Sequence, residues 1–170
     1  SDKFRDGSLI PRVIDIIEWG HLTSAAYDFT DSLYFEDFGC FYNAFAVVDS
    51  RHLCPTGWRI PSPSDFQALV TFLGEGQLAA QALKATMDDD VPWNGNNSSG
   101  FSAAPGGFKR LYSTAPNFLG FGWAEAVFWS DSGGAPGPYH KYFGIDDGDQ
   151  SPRIGDHYST NGMNIRCIKE

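Results

Sequence analysis

No run of about 18 apolar residues occurs in the sequence, so nothing in it reads as a membrane-spanning helix. It has no CxxC, no HExxH, no GxSxG and no phosphate-binding P-loop. The short signatures of redox, zinc-peptidase, serine-hydrolase and nucleotide chemistry are therefore missing. Basic residues are scarce: 12 Lys and Arg against 21 Asp and Glu give a formal net charge of -9. Without a basic stripe, this balance argues against nucleic acid and anionic lipid as partners. Cysteine is sparse and odd in number. Cys40, Cys54 and Cys167 permit one disulfide and a free thiol, or three free thiols, and their spacing does not choose. The start, SDKFRDG, has neither an initiator Met nor a signal-peptide pattern. Ser1 reads as a processing or cloning boundary, so this start carries no information about export.

What is abundant points to a folded, loop-rich chain. The 170 residues include 19 Gly and 10 Pro, and 15% are aromatic. That many aromatics can build a core, which excludes global disorder. The Gly and Pro content suggests short strands and long loops rather than a helical bundle. The length suits a single domain over 1–170, led by an irregular arm at 1–35. Trp19, Leu22, Tyr27 and Phe29 would dock that arm on the rest.

The spacing of Phe41, Tyr42, Phe45 and Ala46 predicts a short amphipathic helix. Residues 54–61 read as a tight turn feeding a very short strand, which Pro61 stops. Ser62 as N-cap, Pro63 at N1 and Asp65 at N3 predict a capped helix over 63–73. Its apolar face carries Phe66, Leu69, Val70 and Leu73, and Gly74 ends it. A second helix is expected over 78–85, where small residues allow close packing. Residues 88–107 form a long irregular segment that Trp93 and Phe101 could pack. Asn96 and Asn97 match glycosylation sequons but read as loop caps. Short strands are expected at 108–112, 126–129, 139–144 and 163–169, with a turn at Asn161-Gly162 before the last. The fold class is thus α+β, with two or more short helices on small antiparallel sheets.

Several blocks resemble a known family. Arg5-Asp-Gly-Ser-Leu-Ile-Pro11, Gly39-Cys-Phe-Tyr-Asn-Ala-Phe-Ala46 and Leu53-Cys-Pro-Thr-Gly-Trp-Arg-Ile-Pro61 come first. Ser98-Ser-Gly-Phe-Ser-Ala-Ala-Pro-Gly-Gly-Phe108, Phe128-Trp-Ser-Asp131 and Asn164-Ile-Arg-Cys-Ile-Lys169 follow in order. Together they are similar to the Fibrobacter succinogenes major paralogous domain, a bacterial family with a C-type-lectin-like fold. Ala44 and Phe66 depart from expected tryptophans, Ala104 from a leucine, and Cys40 lies at a variable position.

The resemblance implies a fold and a setting more than a chemistry. It implies an extracellular or cell-surface protein, or one displayed on a phage particle. The partner would be a protein or glycan on a cell surface. Lectin-like folds also serve as variable proteins of diversity-generating retroelements, where the stretch running into the last strand is diversified; residues 129–162 match it here. This segment mixes aromatic, small and polar residues, the composition of an adaptable recognition surface, though a solvated hairpin shares it. The candidate ligand-binding residues are Tyr139, His140, Tyr142, Asp146, Asp147, Asp149, Arg153, His157 and Tyr158, of which strand alternation would turn half inward. The alternative is a surface-anchored carbohydrate-binding or adhesin domain without diversification. Residues 146–149 and 88–90 read as solvated acidic turns rather than calcium loops. The four histidines show no zinc-ligand spacing, and no nucleophile is placed beside a base. No cofactor, metal or catalytic residue is therefore expected, and the protein is not expected to be an enzyme. Cys54 and Cys167 stand where the family has cysteine, which implies a disulfide worth about 2–4 kcal/mol. Cys40 would then be free and buried.

Overall fold

A computed structural model describes residues 1–28, 38–110, 125–148 and 151–170. In these, four short helices and seven strands form a mixed α+β fold. The helices are α1 (Ile16–Gly20), α2 (Ala44–Val47), α3 (Pro63–Phe72) and α4 (Gly76–Leu83). The strands are β1 (Tyr27–Asp28), β2 (Phe41–Tyr42), β3 (Trp58–Arg59), β4 (Glu125–Trp129), β5 (Tyr139–Asp146), β6 (Arg153–Tyr158) and β7 (Ile168–Lys169). They pair antiparallel as β1-β2, β3-β7 and a three-stranded sheet β4-β5-β6. None of the described helices is long and apolar enough to cross a membrane.

Helix α3 follows its sequence signals closely. Ser62 Oγ accepts the Asp65 N–H, and Asp65 accepts the Ser62 N–H at 2.7 Å, closing the capping box. Asp65 also takes a two-point bond from Arg59, at 2.6 and 2.9 Å. This bond, with the Ser62 donors, holds its carboxyl well below the usual range. Gly74 adopts φ +95° past the C-terminus. Phe66 and Val70 are buried, and the Phe66 ring stacks on Phe143 of β5 at 4.3 Å.

Helix α4 lies two residues earlier than 78–85, because Lys84 and Ala85 leave it to pair with Ala103. Its small face is sealed: Ala79, Ala80, Ala82 and Leu83 are all buried. The helix expected to begin at Phe41 starts only at Ala44. Tyr42 is held between Tyr27 and Met163 as strand, and Asn43 caps the turn that follows. Phe41 and Tyr42 are therefore strand residues, an outcome that apolar spacing alone does not distinguish over so short a run.

The irregular segment 88–107 packs as its aromatics suggest, with Trp93 buried and Phe101 edge-on to Phe128. Asn96 and Asn97 cap this loop, accepting the N–H groups of Ser98 and Ser102. Of the strand expected at 108–112, Lys109 bridges Gly162, and residues 111–112 lie outside the described residues. The strand expected at 163–169 is split. Met163 and Asn164 make single bridges to Tyr42 and Phe128, and only Ile168–Lys169 pairs with β3. Arg153–Tyr158, not among the expected strands, is the third strand of the main sheet.

The sheet divides the core. On one face Ala126, Phe128, Phe143 and Ile145 meet α3 and α4. On the other, Val127 and Trp129 meet Val47, Cys54, Ile60, Phe108 and Met163. Cys54 and Cys167 are bonded, with Cα atoms 5.8 Å apart, as the resemblance implies. Cys40 is free but half-buried, not buried, because it packs at the edge of the cluster around Phe4, Tyr27 and Tyr42, beside the chain's first residue.

The N-terminal arm is not wholly irregular: α1 and β1 form there, and Trp19 and Tyr27 are buried while Leu22 is half-buried. Phe29 lies outside the described residues. A buried ammonium fastens this arm. Lys109 Nζ donates to Asp28 at 2.6 Å and to the carbonyls of Val13 and Ile14, and lies 4.4 Å from the Trp19 ring. Burial pushes its pKa down although Asp28 opposes the shift.

Candidate functional site

The hairpin β5-β6 carries most of the candidate residues, and its pleat sorts them onto two faces. The register pairs Tyr139 with Tyr158, His140 with His157, Lys141 with Asp156, Tyr142 with Gly155 and Gly144 with Arg153. Because successive side chains alternate, Phe143 and Ile154 face α3 while Lys141, Asp156, Tyr139 and Tyr158 continue that face toward the open end of the hairpin. There the face leaves the core. Tyr139 is 52% exposed and Tyr158 55%, and their rings stack at 4.9 Å. Tyr158 beside it raises the Tyr139 phenol above its ordinary pKa. One step inward, Lys141 donates to Asp156 at 2.7 Å in an exposed pair. The result is a stacked aromatic pair bordered by one cation and one anion.

The opposite face gathers a second group around Arg153. Its guanidinium donates to Asp146 at 3.0 Å, to the Tyr142 hydroxyl at 3.0 Å and to Glu125 of β4. Burial opposes its charge, but Tyr142 and Glu125 outweigh it and hold the pKa above the ordinary value. The Tyr142 ring lies flat across two glycines. A Cβ on Gly144 would come within 2.9 Å of that ring, and one on Gly155 within 2.8 Å.

His157 packs on Phe108 and Tyr142, at 5.0 and 5.8 Å, and its Nδ1 accepts the Tyr158 N–H. His140 is buried against Trp129. Burial lowers both imidazole pKa values, with Arg110 and Arg153 adding to the effect at His157, so both rings favour the neutral form.

The structure thus separates the candidates. Tyr139 and Tyr158 come together at the surface. Tyr142, Asp146 and Arg153 form a half-buried network on the other face, beside His157. His140 points inward. Asp147 is exposed at the hairpin turn, where its carbonyl accepts from Asn94, and Asp149 lies outside the described residues. Asp146 is engaged by Arg153 and by the Gly148 N–H. Lys141, Asp156 and Glu125 belong to these arrangements and were not among the candidates. The signal that finds them is the cross-strand register, which requires β6 to be read as a strand. Among the described residues, no group of three or more His, Cys, Asp or Glu side chains is arranged to hold a metal ion.

No curated protein and no solved structure matches the chain. The family profile described as the Fibrobacter succinogenes major domain matches residues 1–169. The match takes in the Cys54 turn, the Phe128-Trp129 strand and the terminal Cys167 strand that frame the hairpin. The chain belongs to the Fibrobacter succinogenes major domain family.

Proposed function

We propose that this protein is a recognition module that works outside the cell, binding a protein or glycan through the open end of the β5-β6 hairpin. The observation that carries this reading is the exposed, stacked pair Tyr139 and Tyr158. Two tyrosine rings are large and stiff, so they offer contact area at low entropic cost. The Lys141–Asp156 pair at its border supplies donors and acceptors for orientation. The scaffold beneath is rigid: the strands pair over their full length, and Phe143 is locked under Phe66. The Cys54–Cys167 bond suits an oxidising compartment. On this reading the mechanism is binding, not catalysis.

Its sharper form is a variable protein of a diversity-generating retroelement, with the exposed positions of 129–160 diversified. The gene neighbourhood tests that form. It predicts a near-repeat of the 3′ end of the gene, differing at adenines, beside a reverse transcriptase. Absence of both would remove diversification and leave the binding module. The second reading, a carbohydrate-binding or adhesin domain, is favoured by the exposure of the stacked Tyr139 and Tyr158 rings, since aromatic surface suits the apolar face of a sugar. A glycan array is its test: a selective signal supports it, and flat binding contradicts it.

A further inference from the structure

A groove of about 510 Å³ lies where β3, α3 and the 88–107 loop meet the C-terminal segment, and none of the recognition-surface residues lines it. Its volume suits a small molecule rather than a macromolecular surface. The walls are apolar: Trp58 from β3, Phe66 and Leu69 from α3, and Phe101 from the loop. Trp58 is 41% exposed, more than tryptophan is on average.

One cation stands in these apolar walls. The Arg166 guanidinium lies 4.4 Å from the Phe101 ring centre and 5.8 Å from that of Phe128. Among the described residues, no carboxylate pairs with it and no oxygen accepts a hydrogen bond from it. Burial alone shifts its pKa, downward. Arg does not deprotonate in proteins, so the charge persists, and no carboxylate among the described residues offsets it. Asp65 also lines the groove, but Arg59 already neutralises it through two hydrogen bonds. A half-buried guanidinium whose donors have no acceptor among the described residues matches a carboxylate, which it can take with two parallel bonds. The aromatic walls match a flat ring attached to that carboxylate.

We propose that this groove binds small aryl carboxylates, with Arg166 taking the carboxylate while Trp58 and Phe101 cover the ring. This site is independent of the hairpin reading. Titration calorimetry of the unaltered chain with 2-naphthoate and with neutral 2-naphthamide tests it. The expected result is one-to-one binding of naphthoate, with naphthamide about 10- to 100-fold weaker, the range for a charge-assisted bond. Arg166→Gln should weaken naphthoate by a similar factor and leave naphthamide nearly unchanged. Arg166→Lys should fall between, since it keeps the charge and loses the fork. The Tyr139→Ala/Tyr158→Ala variant should bind naphthoate as the unaltered chain does. Equal binding of acid and amide, or no saturable binding of naphthoate, would overturn the proposal. The first outcome would make Arg166 a packing partner of Phe101 and Phe128 only.

Discussion

Lys109 shows how single residues hold this chain together. Its ammonium is almost wholly buried, yet Asp28, two backbone carbonyls and the Trp19 ring surround it. Without Lys109 the buried Asp28 keeps, among the described residues, only its longer 3.3 Å pair with Arg12, and breaking one side of a buried pair is costly. Lys109→Met should therefore destabilise the protein by about 3–5 kcal/mol in urea unfolding. Adding Asp28→Asn should recover part of the loss. His140 and His157 make a second prediction at this scale. Their folded pKa values are depressed by burial, so the unfolded chain takes up protons first, near pH 6.5. Their contribution is complete above about pH 6.5 and is lost as pH falls through the folded values. Unfolding midpoints measured from about pH 8 to about pH 5 should decline at the acid end. The decline should be shallower in His140→Gln/His157→Gln.

At the scale of elements, the hairpin depends on a close approach that only glycine allows. Tyr142 lies over Gly144 and Gly155, and a methyl group at either position would meet its ring within 3 Å. Gly155→Ala should displace the ring and break the Arg153 bond to its hydroxyl. The protein should lose about 1–3 kcal/mol, as for an overpacked core site. A shifted Tyr142 side-chain resonance with an otherwise unchanged spectrum would show it.

Legibility in sequence also varies by element. Helix α3 was readable because its signals are local: Ser62, Pro63, Asp65 and Gly74 each act within one turn. The β4 and β5 strands were readable from their aromatic and β-branched runs. Strand β6 was not, because RIGDHY shows no apolar alternation. Its two faces carry Arg153, Gly155 and His157 against Ile154, Asp156 and Tyr158, and polar groups satisfied across the strand look like loop residues in sequence. The candidate surface inherits this limit. Tyr139 and Tyr158 could be named from composition, but their pairing, and the roles of Lys141, Asp156 and Glu125, arise only from register. The Arg166 groove is less legible still, since its walls come from three separate segments, 58–69, 99–101 and 166–168, with no shared spacing.

At the scale of the whole molecule, the net charge of -9 and the sparse cysteines fit one picture. Only one covalent tie spans the chain: Cys54 and Cys167 are 113 residues apart and join the early turn to the terminal strand. The chain-entropy description sets an upper figure of about 5 kcal/mol for a loop of that length, above the about 2–4 kcal/mol that such bonds typically contribute. Reduction should lower the unfolding midpoint accordingly. Denatured, non-reduced protein should show one titratable thiol, from Cys40; three would mean the bond does not form. The short strands and long loops of this fold leave a modest core, so the tie falls where it restrains the most chain.

Ligand recognition by the open end of the β5-β6 hairpin can be checked in a single comparison. The unaltered chain and Tyr139→Ala/Tyr158→Ala are applied to the same array of glycans and surface proteins, with unfolding midpoints measured in parallel. Both rings are exposed, so folding stability should change by less than about 0.5 kcal/mol apart from the lost stacking. The unaltered chain should select a ligand whose affinity falls by about 30-fold or more in the variant, the loss expected for a binding hot spot. A ligand bound equally well by both proteins would contradict it.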